Sequence, residues 1–239
     1  MVITSKSNLK VKAAASLKEK KFRRSCGEYL VEGVKMVTEC LSAKKQAMQV
    51  ICTEEYAEKF PDALIVSREV FCYISDEKTP QGVCASVKIP DLTPRPPKGN
   101  CILLDGLQDP GNVGTIIRTA NAAGYGEIYL INCADPFSPK AVRSSMSGIF
   151  FADIMAGEAE DVLKALSSVP IICADMDGQN AFAFEKPDKF CLCIGSEGSG
   201  ISEKVKSLCS YTVSIPMRNT CESLNAAVSA GILMYLLGF

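Results

Sequence analysis

The chain has 239 residues, 26 Lys and Arg against 27 Asp and Glu, and 47% apolar residues, which gives room for one or two packed domains and excludes a disordered chain. It has no histidine, so imidazole proton shuttles and histidine-dependent triads are excluded, and chemistry must rest on carboxylates, Arg, Lys, Ser, Tyr or the substrate. Twelve cysteines in a long chain whose first residues lack an apolar export core read as buried, reduced thiols, with no metal site expected, and the protein is expected in the cytoplasm.

Along the first part, Leu9, Val11, Ala13, Ala14 and Leu17 have helical spacing over 8–17. Lys6, Lys10, Lys12, Lys18, Lys20, Lys21, Arg23 and Arg24 crowd the same region with Glu19 as their only acid, a run that suits a solvated helix face and, being this dense, better suits a nucleic-acid-contacting surface. Residues 29–33 read as a strand, 34–41 as a helix, 49–52 and 63–66 as strands with a helix over 54–60 between, and 83–89 as a strand. Pro90, Pro94, Pro96 and Pro97 then interrupt the chain, and a stiff linker is expected there.

The second part alternates strands (101–105, 127–132, 170–175, 190–195, 211–215) with helices (112–123, 140–146, 161–167, 224–237), the pattern of a mostly parallel sheet covered on both faces. The last helix is apolar on nearly every side, which suits a core or a subunit interface better than a membrane span. Cys191 and Cys193 share one strand face and suit packing as well as ligation. Ligands of such sheets bind beyond the carboxyl ends of the strands. Three polar stretches sit there: 105–124, 194–200 and 215–225.

The glycines of Gly195-Ser196-Glu197-Gly198-Ser199-Gly200 follow GxxGxG, the wrong order for a dinucleotide fingerprint, and read as a loop that lets backbone approach a flat ligand. Asn112 reads as a helix N-cap. Arg118, beside Thr115 and Thr119, is suited to phosphate or to a surface ion pair.

Asp109-Pro110-Gly111-Asn112-Val113-Gly114 with Arg118-Thr119, Ile194-Gly195-Ser196-Glu197-Gly198 with Gly200, and Ile215-Pro216-Met217 with Glu222-Ser223-Leu224-Asn225 occur in order. Together they resemble the three motifs of the SpoU (TrmH-like) RNA ribose 2′-O-methyltransferases of the SPOUT superfamily. Ser5-Lys6-Ser7-Asn8, Arg23, residues 29–33 and Thr79-Pro80-Gln81-Gly82 resemble that family's substrate-binding domain. The resemblance implies an α/β fold. A small ribosomal-protein-like RNA substrate-binding domain (1–92) and a linker (93–99) precede a SPOUT methyltransferase domain (100–239) with a mostly parallel sheet and a trefoil knot.

It also implies a homodimer, S-adenosyl-L-methionine as cofactor, and methyl transfer to a ribose 2′-hydroxyl of structured RNA, ribosomal in preference to transfer RNA. Carried onto this chain, the catalytic cluster is Arg118, Asn112, Glu197, Ser223 and Asn225. Ala174, Gly195, Glu197, Gly198, Ile215, Met217 and Leu224 are cofactor-binding. Lys6, Lys10, Lys12, Arg23, Lys140, Arg143 and Ser145 contact RNA. Ser147 and Phe151 depart from the family pattern, where glycine and arginine are usual. The rivals are an RNA-binding protein that has kept the scaffold without catalysis and a nucleotide-dependent oxidoreductase.

Overall fold

In a computed structural model, residues 1–218, 220 and 223–238 are described. Cys221 and Glu222, within the third motif, lie outside the described residues. The chain divides into two compact units, Met1–Ile89 with Asp135–Phe150, and Pro90–Ala134 with Phe151–Phe239.

The first unit is built on a four-stranded sheet, β1 (Glu28–Glu32), β2 (Ala47–Cys52), β3 (Leu64–Ile65) and β4 (Val83–Lys88), in the order β1-β4-β2-β3. Helix α1 (Leu9–Ser16) is capped by the Asn8 side chain, which accepts from Lys10 N and Val11 N. Helices α2 (Lys20–Cys26), α3 (Val34–Ser42) and α4 (Arg68–Ile74) follow the chain around the sheet. Val11, Ala14 and Leu17 join Val70, Phe71 and Ile74 on Leu30, Ile51 and Cys84, so α1 and α4 cover one sheet face. On β1 the neighbours of Leu30 point the other way, and there Tyr29 meets Phe137 with ring centroids 4.9 Å apart. Phe137 precedes helix α6 (Pro139–Ser145), which is why that segment counts with the first unit.

Two expectations change here. Residues 54–60 form only a 3-10 turn at Glu54–Tyr56 and one further turn, because Pro61 stops the chain from continuing as a helix. Arg23 is not a phosphate contact. It is 3% exposed, and its guanidinium donates to the Asp135 carboxylate at 2.6 Å and to the Leu17 and Lys18 carbonyl oxygens at 2.8 Å. Four of its five N–H donors have tasks inside the unit. Arg23→Ala, which leaves Asp135 uncompensated, is expected to destabilise the protein by about 3 kcal/mol, read as a lowered urea midpoint; a loss of RNA affinity at unchanged stability would contradict this role.

The second unit holds a six-stranded, all-parallel sheet of β5 (Cys101–Asp105), β6 (Glu127–Ile131), β7 (Asp153–Ala156), β8 (Ile171–Asn180), β9 (Cys191–Gly195) and β10 (Cys209–Ser214). Its order is β10-β8-β9-β5-β6-β7, so the winding reverses at β5, and ligands of such sheets bind beyond the carboxyl ends near such a reversal. Cys101, Leu103, Cys191 and Cys193 pack on one face under helices α7 (Ala159–Leu166) and α8 (Glu203–Lys206). Ile102, Leu104, Leu192 and Ile194 point to the opposite side and are equally buried. Helices α5 (Pro110–Ala122) and α9 (Ala226–Gly238) pack on each other, and Gly231 of α9 leaves Thr119 Cγ2 only 3.6 Å from where a Cβ would stand.

The proline segment is not a free tether. Leu92 O accepts from Ala156 N at 2.9 Å, Arg95 Nη2 donates to both Asp153 carboxylate oxygens at 2.7 and 2.8 Å, and Tyr129 Oη donates to Arg95 O at 2.6 Å. Cys191 and Cys193 are free and buried, and Cys173 and Cys209 face each other on the neighbouring strands β8 and β10, their Cα atoms 6.1 Å apart. Strand pairing brought together two cysteines 36 residues apart in sequence.

Candidate active site

At the carboxyl ends of β8, β9 and β10 lies a cavity of about 240 Å³. Of the expected cofactor residues it is lined by Ala174, Gly195, Glu197, Ile215, Met217 and Leu224, and not by Gly198. Ser223 lines it too. Ile194, Val213 and Leu233 complete an apolar wall, while Asp175, Ser196, Ser214 and Ser229 add polar groups the sequence did not single out. Apolar walls with a few placed polar groups are how small-molecule sites are usually made.

The floor is the glycine loop folded on itself. Ser196 and Gly200 exchange two backbone hydrogen bonds of 3.0 Å, and Ser199 N donates to Ser196 Oγ at 3.1 Å. Asp105, 3% exposed at the end of β5, accepts from Ser202 N at 2.7 Å and holds the loop's far end. Gly200 has φ +68°, a left-handed conformation that glycine adopts without strain.

Three side chains join the three motif regions at the mouth. Asp109, not Asn112, caps α5, accepting from Gly111 N at 2.5 Å and Asn112 N at 3.1 Å. The helix therefore starts two residues earlier than expected, with Pro110 in its first turn, and the Asn112 amide is left for other bonds. Asn112 Nδ2 donates to Glu197 Oε1, and Asn225 Nδ2 donates to Asn112 Oδ1 at 3.0 Å. Asn225 Oδ1 accepts from Ala227 N at 2.9 Å and Val228 N at 3.3 Å, so the same residue caps α9. Helix α9 starts there and not at the Ser223 side expected from its apolar run.

Arg118 stands apart from this relay. It is exposed on α5, one turn beyond Thr115, outside the cavity lining, and no partner holds its guanidinium among the described residues. The expected RNA contacts divide. Lys12 and Lys140 are exposed, Lys6 pairs with Glu69 at 2.7 Å, and Lys10 donates to Gln49 at 3.3 Å. Arg143 bridges Asp76 at 2.9 Å and Glu77 at 3.0 Å. Ser145 is fully buried and donates to Val142 O at 2.8 Å, which corrects its assignment to RNA: its hydroxyl closes the last turn of α6. Lys20, Lys21 and Arg24 share a shallow concavity on α2.

A parallel α/β sheet with a ligand cavity at its carboxyl ends and a polar relay at the cavity mouth defines a small-molecule-binding enzyme fold. The SpoU rRNA Methylase family model matches residues 99–235, and the MRM3-like substrate binding domain matches residues 8–85. The 23S rRNA (guanosine(2553)-2′-O)-methyltransferase RlmP of Bacillus subtilis is 29% identical over 98% of this chain and 97% of the relative. The 23S rRNA (uridine(2479)-2′-O)-methyltransferase of Streptomyces viridochromogenes is 31% identical over 89% of this chain and 83% of its own length. The AdoMet-bound rRNA methyltransferase of Sinorhizobium meliloti superposes with a TM-score of 0.90 at 27% identity, covering 99% of this chain and 97% of that one. The chain belongs to the SpoU family of RNA ribose 2′-O-methyltransferases.

Proposed function

We propose that this protein methylates a ribose 2′-hydroxyl of ribosomal RNA with S-adenosylmethionine as donor. The observation that carries the reading is the Asn225–Asn112–Glu197 relay, which ties all three motif regions together at the mouth of the cavity. The cavity suits the donor: Ile194, Val213, Ile215 and Leu224 offer an apolar surface to adenine, while Asp175 and Glu197 suit hydroxyls and a cationic centre. When bound, S-adenosylmethionine supplies a methyl group on a positively charged sulfur, an electrophile that needs no further activation.

The protein's own groups then have to position the ribose and ease loss of its proton. Arg118 grips the phosphate of the target nucleotide, since a guanidinium keeps its proton and serves as an anion fork, not as a base. Asn112, Asn225 and Ser223 orient the ribose, and Glu197 is held by Asn112 for the same purpose. RNA follows from the reaction, because only RNA offers the 2′-hydroxyl. In the first unit, Lys6, Lys10, Lys12, Lys140 and Arg143, with Lys20, Lys21 and Arg24, supply cations for the RNA backbone.

The assembly belongs to the same reading. Val228 and Tyr235 of α9, both 51% exposed and two turns apart, support a homodimer. A trefoil knot in the second unit belongs to the same reading, as the family likeness implies. Among the described residues no helix is long and apolar enough to cross a membrane, and the proposed place of action is the cytoplasm. The test is calorimetry with S-adenosylmethionine together with a map of 2′-O-methylated rRNA positions in cells with and without the gene. One modified rRNA position is expected to disappear on deletion and to return when purified protein and donor are added; an unchanged map rejects the substrate.

A further inference from the structure

Between Thr212↔Cys173 and Val213↔Gln179 the pairing of β10 with β8 jumps, so residues 174–178 have no counterpart on β10. They bulge out of the sheet beside the cavity. Gly178 closes the bulge against the Val213 backbone, and Cys173 and Cys209 pack together across the same two strands at its start. The bulge thus has a fixed base, and it presents Asp175 to the cavity.

The Asp175 carboxylate is half committed. Its Oδ2 receives Lys206 Nζ at 2.9 Å, Oδ1 takes a long 3.5 Å approach from Asp177 N, and the Met176 backbone N–H also approaches the carboxylate. Lys206 holds the carboxyl below its ordinary range, so the group is an acceptor at neutral pH. Three other polar lining groups are engaged, Glu197 with Asn112, Ser196 with Ser199, and Ser214 with the Gly178 carbonyl, which leaves Asp175 as the charged group of the lining with an oxygen lightly used. Because Glu197 is tied to Asn112 of the catalytic relay, the end of the cavity near β5 is the reacting end. Asp175 enters from β8, on the other side of β9 from β5.

We propose that Asp175 selects the ribose of the bound donor, its Oδ1 accepting hydrogen bonds from the vicinal 2′- and 3′-hydroxyls. The inference rests on S-adenosylmethionine being the ligand of this cavity. A diol is favoured over the donor's ammonium because Lys206 already balances the carboxylate's charge, and a second cation gains less there than two neutral donors seeking an acceptor. An acid at the end of a parallel strand is a recurrent solution to holding ribose hydroxyls in sheets of this kind.

The experiment is calorimetry on the full chain and on Asp175→Ala and Asp175→Asn. The probes are S-adenosylhomocysteine, 5′-methylthioadenosine and the 2′,3′-dideoxy form of the latter. The unaltered protein is expected to prefer methylthioadenosine over its dideoxy form by at least about tenfold, as a charge-assisted bond implies. In Asp175→Ala that preference is expected to shrink to about twofold, with homocysteine and methylthio nucleosides losing affinity by the same factor. Asp175→Asn, which keeps the side chain's shape and carries the test should the alanine variant misfold, is expected to lose part of the preference. An undiminished preference in either variant overturns the proposal, and so does a loss confined to S-adenosylhomocysteine, which would place the carboxylate on the ammonium. An unaltered protein that binds none of the three overturns the methyl-donor reading and this proposal with it.

Discussion

Arg118→Ala is expected to lower methyl transfer by about three orders of magnitude, equivalent to about 4 kcal/mol of barrier, while donor affinity measured by calorimetry stays within about twofold. The separation follows from where Arg118 stands. It is exposed on α5 and takes no part in the cavity lining, so its removal leaves the walls formed by Gly195, Ile215 and Leu224 in place. The buried face of α5 is Val113, Ile116, Ile117 and Ala120, so the helix keeps its packing and only the solvent side changes. Arg118→Lys keeps the charge and loses the planar fork, and its activity is expected to fall between the two. Activity retained in full, or donor affinity lost in parallel with activity, would reject the assignment of Arg118 to the target phosphate.

The three motif regions were legible because each announces itself locally: an apolar strand ends, and glycine or a capping residue follows at once. Gly195 at the end of β9 and Asn225 at the head of α9 are of this kind. The separate character of Arg118 was legible too, from its place among Thr115 and Thr119 off the apolar face. Charge alone misled at Arg23, because a basic run on a helix looks the same whether one member faces solvent or a distant carboxylate. Its partner, Asp135, lies 112 residues away. Asp105 and Asp175 were missed for a related reason. One is held by the loop after β9, and the other is set by a break in the pairing of β8 with β10, and such registers leave no local mark. Helix α4 had a readable signal, since Ser67 caps it and Val70, Phe71 and Ile74 have helical spacing. Helix α2 offered less, with no side-chain cap and mostly charged residues before Gly27.

Gly195→Ala is expected to abolish donor binding at concentrations that saturate the unaltered protein and to destabilise the fold by about 1–3 kcal/mol, the usual cost of forcing a methyl group into a packed interior. A Cβ at 195 would stand 2.6 Å from the Gly200 carbonyl oxygen and closer still to Gly200 C and Ile201 N. All three are backbone atoms, which cannot swing aside as a side-chain tip can. They are also fixed from both ends, by the Ser196–Gly200 pair and by the Ser202 N to Asp105 bond. For the methyl group to fit, one of these has to break and the loop has to lift. Lifting the loop carries Glu197 away from Asn112, so one substitution disturbs both the cavity floor and the relay. Gly198, three residues on in the same loop, is the internal control: a Cβ there meets nothing within 4 Å, and Gly198→Ala is expected to bind the donor and to unfold as the unaltered protein does. Calorimetry and urea unfolding on the two variants separate a requirement for glycine at the close backbone crossing from a general sensitivity of the loop. Ordinary binding by Gly195→Ala would mean that the floor yields, and the cavity would then owe its shape to the walls at Ile215 and Leu224.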